Sequence, residues 1–204
     1  MNRQRHWQEV YGSKSATEVS WYRPHLDRSL QLIQDCGVGT AGRLIDVGAG
    51  ESTLVDDLLD AGFGQVTVLD VSESAIEGVR SRLGSRAASV DLIHGDVLTV
   101  DLPAAHYDLW HDRAVFHFLT SEDDRVTYVR RLKESLRPQG HLVIATFGPD
   151  GPTQCSGLDV VRYSAESLGC ELGPEFDLEA TEVELHQTPW GATQSFTYCR
   201  FQRQ

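Results

Sequence analysis

The segment from Leu44 to Leu54 reads Leu-Ile-Asp-Val-Gly-Ala-Gly-Glu-Ser-Thr-Leu. An apolar strand that ends in Gly48-Ala49-Gly50 and turns into a helix lets backbone approach a ligand closely at the carboxyl edge of a sheet. Two features separate it from the dinucleotide fingerprint. Thr53 stands where the third glycine of G-x-G-x-x-G belongs, and Asp46 places a carboxylate two residues before the first glycine. Such a carboxylate repels a pyrophosphate and attracts a ligand that carries an ammonium and a sulfonium. The pattern points to a cationic cofactor. Asp70, followed by Val71, ends the next apolar run, where a carboxylate accepts hydrogen bonds from both hydroxyls of a ribose. Gly95-Asp96-Val97 closes the third run, and an acid there accepts from an exocyclic amine such as that of adenine. An acid after each of three successive strands is more specific than any one of them.

The elements that must position these acids lie between Arg43 and Phe147, where short apolar runs alternate with helical patterns. Strands are predicted at 43–47, 65–70, 90–94, 107–111 and 141–147, with helices at 53–61, 74–83 and 122–136. The last helix starts at Thr120-Ser121-Glu122-Asp123-Asp124, a cap hydroxyl followed by first-turn acids, and stops at Arg137-Pro138-Gln139-Gly140. Upstream, residues 24–36 carry Leu26, Leu30 and Ile33 at helical spacing; a short helix is expected after Ser164. Residues 176–186 and 193–201 alternate polar and apolar residues on either side of Thr188-Pro189-Trp190-Gly191, which predicts an antiparallel hairpin. The expected fold is α/β: a doubly wound, Rossmann-like seven-stranded sheet, mostly parallel, with a C-terminal antiparallel hairpin strand and helices on both faces. The chain reads as one domain in three parts: a helical cap or lid at 1–40, a cofactor-binding core at 41–147, and a substrate-side loop with the closing hairpin at 148–204.

With these motifs in place, the stretch from Arg43 to Phe147 resembles the class I S-adenosylmethionine-dependent methyltransferases. The first motif of that family matches Asp46-Val47-Gly48-Ala49-Gly50, its ribose acid Asp70, its adenine-side acid Asp96, and its fourth-strand motif Tyr107-Asp108-Leu109-Trp110-His111-Asp112-Arg113. Leu136-Arg137-Pro138-Gln139-Gly140 resembles the family's turn into the fifth strand, with Gln139 in place of a glycine. The resemblance implies S-adenosylmethionine as cofactor and S-adenosylhomocysteine as product, bound by Asp46, Gly48, Ala49, Gly50, Asp70, Val71, Gly95, Asp96, Val97 and His111. It also places His111, Asp112 and Arg113 beside the methyl group. Methyl transfer from a sulfonium is an in-line displacement with an activated leaving group, so the protein has mainly to position the nucleophile. His111, Arg113 and His117 are the candidate catalytic residues, His117 as a general base for an acceptor that arrives protonated.

Trp21 and Tyr22 are read as a lid over the acceptor, with a hydrophobic staple for the following helix as the alternative. The Gly- and Pro-rich loop 147–158 follows the fifth strand, where functional loops concentrate. It brings Cys155, and beyond it Arg162, into consideration as acceptor-binding residues. Asp108, His111 and Asp112 alternate along a strand and do not converge on a metal, so no metal is expected.

The chain has 204 residues, 40% of them hydrophobic, enough for a core without disulfides. Its net charge of −12, with Lys and Arg scattered, argues against a nucleic-acid grip. There is no long apolar run and no apolar stretch near the start, and the four cysteines, Cys36, Cys155, Cys170 and Cys199, lie far apart. A cytoplasmic protein away from membranes, monomeric or homodimeric, with free thiols, is the expectation. Three functions compete: methyl transfer to a small molecule, methyl transfer to a protein lysine, and a non-catalytic module that keeps the cofactor fold for partner binding.

Overall fold

A computed structural model describes residues 3–13 and 15–204; Met1, Asn2 and Lys14, all within the expected cap segment, lie outside the described residues. Five strands form the parallel part of the sheet: β1 (Leu44–Val47), β2 (Val66–Asp70), β3 (Val90–His94), β4 (Tyr107–Arg113) and β5 (Leu136–Phe147). A two-residue pair, β6 (Gln154–Cys155) and β7 (Leu158–Asp159), folds back on itself in the loop after β5. The long hairpin β8 (Phe176–Gln187) and β9 (Thr193–Arg203) completes the main sheet, whose order is β3-β2-β1-β4-β5-β9-β8. In this sheet β9 runs opposite to the other six strands. The seven-stranded, mostly parallel sheet with a reversed C-terminal strand is the expected architecture.

The central strands are covered on both sides, which is why they read as unbroken apolar runs. On one face Leu44, Val68, Leu109, Val143 and Tyr198 pack against three helices, α2 (Asp27–Asp35), α3 (Leu54–Asp60) and α4 (Glu73–Leu83). On the other, Ile45, Trp110, Leu142 and Phe201 pack against α5 (Glu122–Ser135) and α6 (Ala165–Leu172). Trp110 is fully buried and donates its indole N–H to the Tyr128 hydroxyl at 3.0 Å, so the large side chain of β4 is sealed without an orphan donor.

Three details depart from the sequence expectation. A further helix, α1 (Arg3–Ser13), precedes the rest; only Val10 of it is buried, so it lacks the apolar stripe that periodicity detects. Ser121 occupies the N-cap of α5 but its hydroxyl makes no cap bond, and Glu122, Asp123 and Asp124 answer the helix N-terminus by charge instead. Strand β5 begins at Leu136 rather than at 141, because Leu136 already pairs with Tyr107; the ladder then slips to join Leu109 with His141, and Gln139 takes a left-handed φ of 64° within the resulting bulge. Gly140 and the carboxylate of Asp108, held by Arg137 at 2.7 Å and by the Arg43 amide at 2.8 Å, sit at the same end, far from the carboxyl edge.

Candidate active site

Strand alternation decides which side chains meet at the carboxyl edge. Asp46 of β1 and His111 of β4 are register partners and lie on the same face as Leu44 and Leu109. His111 donates from Nδ1 to Asp46 Oδ1 at 2.6 Å, and its Nε2 pairs with the Ser29 hydroxyl of α2 at 2.9 Å. All three are buried, so the imidazole ties β1, β4 and α2 together and has no nitrogen left for a substrate. Its place in the cleft wall is the expected one, and its hydrogen bond holds the Asp46 carboxylate in position. That arrangement leaves Asp46 Oδ2 without a protein partner among the described residues.

The loop after β1 is pinned beneath the cleft by Gly48 and Ala49, whose amides donate to the Leu69 carbonyl at 2.7 and 3.3 Å. Gly48 has φ 63°, and a Cβ there would lie 1.9 Å from Val115. Gly50 has φ 54°, and a Cβ would lie 2.2 Å from the Tyr11 hydroxyl. Both positions therefore demand glycine for backbone sign and for space. The Gly50 amide donates to Asp70 Oδ2 and the Ser72 amide to Oδ1, each at 2.8 Å. Two amides use half of the lone-pair sites of this carboxylate, and the remainder can accept two ribose hydroxyls. Burial pushes the Asp70 carboxyl up to about 6, against the pull of those two amides. Asp96, at the next strand end, accepts from the Leu98 amide at 2.9 Å and has Arg3 at 3.9 Å.

Asp46, Gly48, Ala49, Asp70, Asp96 and His111 line one cleft of about 1290 Å³ counting its open mouth, together with Val71, Gly95, Val97, Trp21, Tyr22, Arg113 and Cys155. Of the expected cofactor residues only Gly50 is absent from the wall, because the Tyr11 ring covers it. Helix α1 forms the roof. Gln8 bonds Ser74 at 2.7 Å and Ser72 at 3.1 Å, Arg3 pairs with Asp124 at 3.0 Å, and Trp7 packs against Trp21 and Phe118 at ring-centre distances of 5.7 and 5.0 Å. Arg3, Trp7 and Tyr11 escaped the sequence reading. Their trace is the i, i+4 spacing of Trp7 and Tyr11, an aromatic pair on one turn-face of a helix that has little else to bury. Ser29 was also missed; it shares the buried face of α2 with Leu32 and Ile33, and a hydroxyl at that spacing signals a buried polar partner.

At the other end of the cleft Arg113 shares the His111 face, while Asp112 points to the opposite side of the sheet. Arg113 and Asp112 thus do not pair. Asp112 accepts from the Tyr128 hydroxyl at 2.5 Å and from the Val115 amide at 2.8 Å, fixing the turn after β4, and burial pushes it up to about 6. Cys155 is buried on the cleft wall, where burial pushes its thiol up to about 11.

Two expected residues lie elsewhere. His117 is fully buried outside the cleft wall; its Nδ1 accepts the Phe147 amide at 3.2 Å, and burial followed by the Arg113 charge lowers it to about 3. An imidazole with its lone pair engaged and so little basicity is not placed to take a substrate proton. Arg162 donates to the carbonyls of Pro149 at 2.7 Å and Gly151 at 3.3 Å, so it braces the loop after β5 instead of reaching the acceptor.

Residues 44–140 match a methyltransferase-domain family. Among curated relatives, the mouse eEF1A lysine and N-terminal methyltransferase is 22% identical over 182 residues, which cover 89% of this chain and 24% of the relative. The malonyl-[acyl-carrier protein] O-methyltransferase of Halalkalibacterium halodurans is 32% identical over 131 residues, 62% of this chain and 46% of the relative. The chain spans about a quarter of the length of the first of these relatives. The solved N-methyltransferase NodS from Bradyrhizobium japonicum, in complex with S-adenosyl-L-homocysteine, superposes with a TM-score of 0.74 at 17% identity over 97% of this chain and 98% of its own. Strand order, three strand-end acids and the glycine turn agree with the match of residues 44–140 to the methyltransferase-domain family, and the fold is the one shared with solved S-adenosylmethionine-dependent methyltransferases.

Proposed function

We propose that this chain transfers the methyl group of S-adenosylmethionine to a small molecule bound between the 19–26 segment and the loop carrying Cys155. In this reading Asp70 receives the ribose hydroxyls, Asp96 the adenine amine, and the unpartnered Oδ2 of Asp46 the ammonium of the methionine moiety. When bound, the cofactor supplies an already activated methyl group, so the protein's task is orientation and exclusion of water. His111 acts as a positioning residue through Asp46. No side chain is assigned as a base: both nitrogens of His111 are engaged, and His117 is outside the cleft.

The observation that carries the small-molecule reading is the roof. Trp7, Tyr11, Trp21 and Phe118 pack edge to face above the cleft, and Cys155 and Phe196 close its acceptor end. A folded protein would have to thread a lysine past this cluster and bring its ammonium up to the guanidinium of Arg113. Four free cysteines support a cytoplasmic setting, and no helix among the described residues is long and apolar enough to cross a membrane.

The test has two parts. Calorimetric titration with S-adenosylhomocysteine should give saturable binding, and its absence would reject both enzyme readings in favour of a non-catalytic module. Incubation of the protein with methyl-labelled cofactor and size-fractionated cell extract should then place label in the small-molecule fraction. Label confined to macromolecules would favour the lysine reading, to which the mouse relative gives its weight.

A further inference from the structure

The two ends of the cleft differ in charge. Asp46, Glu51, Asp70 and Asp96 all line the cofactor end, whereas the acceptor end presents Arg113 among Val19, Trp21, Phe118, Cys155 and Phe196. The Arg113 guanidinium is held from three directions: Nε donates to the Tyr198 hydroxyl at 2.9 Å, Nη1 to the Trp21 carbonyl at 3.2 Å, and the carbon of the fork lies 4.8 Å from the centre of the Phe196 ring. None of these partners is an anion, and among the described residues no carboxylate forms an ion pair with it. Glu184, which Tyr198 links to this fork, is already in use, since it pairs with Arg23 at 2.8 Å and accepts from Tyr198 at 3.1 Å. Nη2 is left buried with no hydrogen-bond partner among the described residues.

A buried cationic N–H without an acceptor is among the costlier things a fold can hold, and a fixed, planar fork suits a carboxylate better than any other small group. From these observations we infer that the acceptor end of the cleft is a carboxylate-recognition site: the methyl acceptor is an apolar, ring-sized molecule whose carboxylate is gripped by Arg113. This rests on the small-molecule reading above. Arg113 presents its remaining N–H groups to the ligand, Phe196 and Tyr198 keep the fork from turning away, and Trp21, Phe118 and Cys155 receive the apolar body.

The competing anion is the carboxylate of the cofactor's own methionine moiety, so the experiment must separate the two. Benzoate and its neutral analogue benzamide serve as probes, each titrated calorimetrically into protein saturated with S-adenosylhomocysteine. Benzoate should bind at least about tenfold more tightly than benzamide. Arg113→Gln should lose that preference while its affinity for S-adenosylhomocysteine stays within about twofold of the parent, and Arg113→Lys, which keeps the charge but not the fork, should fall between them. Equal binding of the two probes, or saturable binding of neither, would overturn the proposal without reference to any variant's folding. A loss of S-adenosylhomocysteine affinity in Arg113→Gln as large as its loss of benzoate would overturn it by assigning the guanidinium to the cofactor. Failure of the unaltered protein to bind S-adenosylhomocysteine is a different result, and it would remove the methyl-transfer reading itself.

Discussion

Asp70 shows how a single carboxylate sets function against stability. Its carboxyl is raised to about 6 chiefly by burial, so the unliganded fold binds a proton there more tightly than the unfolded chain does. The stability this confers is present in full below the ordinary carboxylate range and is lost as pH rises through about 6. Ionised Asp70 therefore weighs against the empty fold at neutral pH, by roughly 2–3 kcal/mol. Between pH 5 and pH 7.5 the urea midpoint of Asp70→Asn should change less than that of the parent, because the amide cannot ionise, while one of the two backbone amides loses its acceptor at either pH. The same substitution should weaken S-adenosylhomocysteine binding at least about tenfold at pH 7.5, because an amide accepts fewer hydroxyls than a carboxylate. In the parent protein that affinity should fall as pH drops through 6, opposite in sign to the stability. A variant that bound the ligand as well as the parent would show the ribose site to be elsewhere. The residue types of this site were legible from the sequence, since an acid at each strand end is a matter of spacing. The pairing of Asp46 with His111 and Ser29 was not, because it depends on register across strands and on which face of α2 turns inward.

Among the elements, α1 and the bulge of β5 were the least visible beforehand, for opposite reasons. The inner strands, buried on both faces, leave continuous apolar runs that any reading by pattern recovers. Helix α1 buries only Val10 and lays Trp7 and Tyr11 over the cleft, so its stability is tied to what lies beneath it more than to a core. Removing residues 1–13 should accordingly leave a cooperative melt and cost the far-UV spectrum only the signal of one short helix, while weakening S-adenosylhomocysteine binding about tenfold or more; equal affinity would deny α1 a part in the site. In the bulge, the Arg137-Pro138-Gln139-Gly140 signal was read as a turn, and it is one, but it is absorbed into a strand already paired at Leu136. Gln139 there holds a φ that favours glycine. Gln139→Gly should relieve that strain and raise stability by up to about 1 kcal/mol in denaturant titration, despite the entropy glycine adds to the unfolded chain. Because the bulge sits at the end of the sheet away from the cleft, ligand affinity should not change.

For the molecule as a whole, the sheet order puts every candidate ligand contact on one edge and leaves the hairpin strand β8 at the far side with no neighbour beyond it. Its outward residues include Val183 and Leu185, each 66% exposed, and Trp190 at the hairpin tip is 63% exposed. An open strand edge dressed with apolar side chains is a template for self-association. At neutral pH the net charge of −12 on each copy opposes such association. That protection disappears near pH 5.0, the isoelectric point. The colloidal consequence is that static light scattering should rise sharply as concentrated protein is brought to pH 5, and that added salt at pH 7.5 should reproduce part of the effect by screening. Val183→Lys with Leu185→Lys should suppress it, and scattering that persists in this pair would place the sticky surface elsewhere. The acidity of this chain would then be its shield against its own open edge, a matter of solubility quite separate from the three acids that face the cofactor.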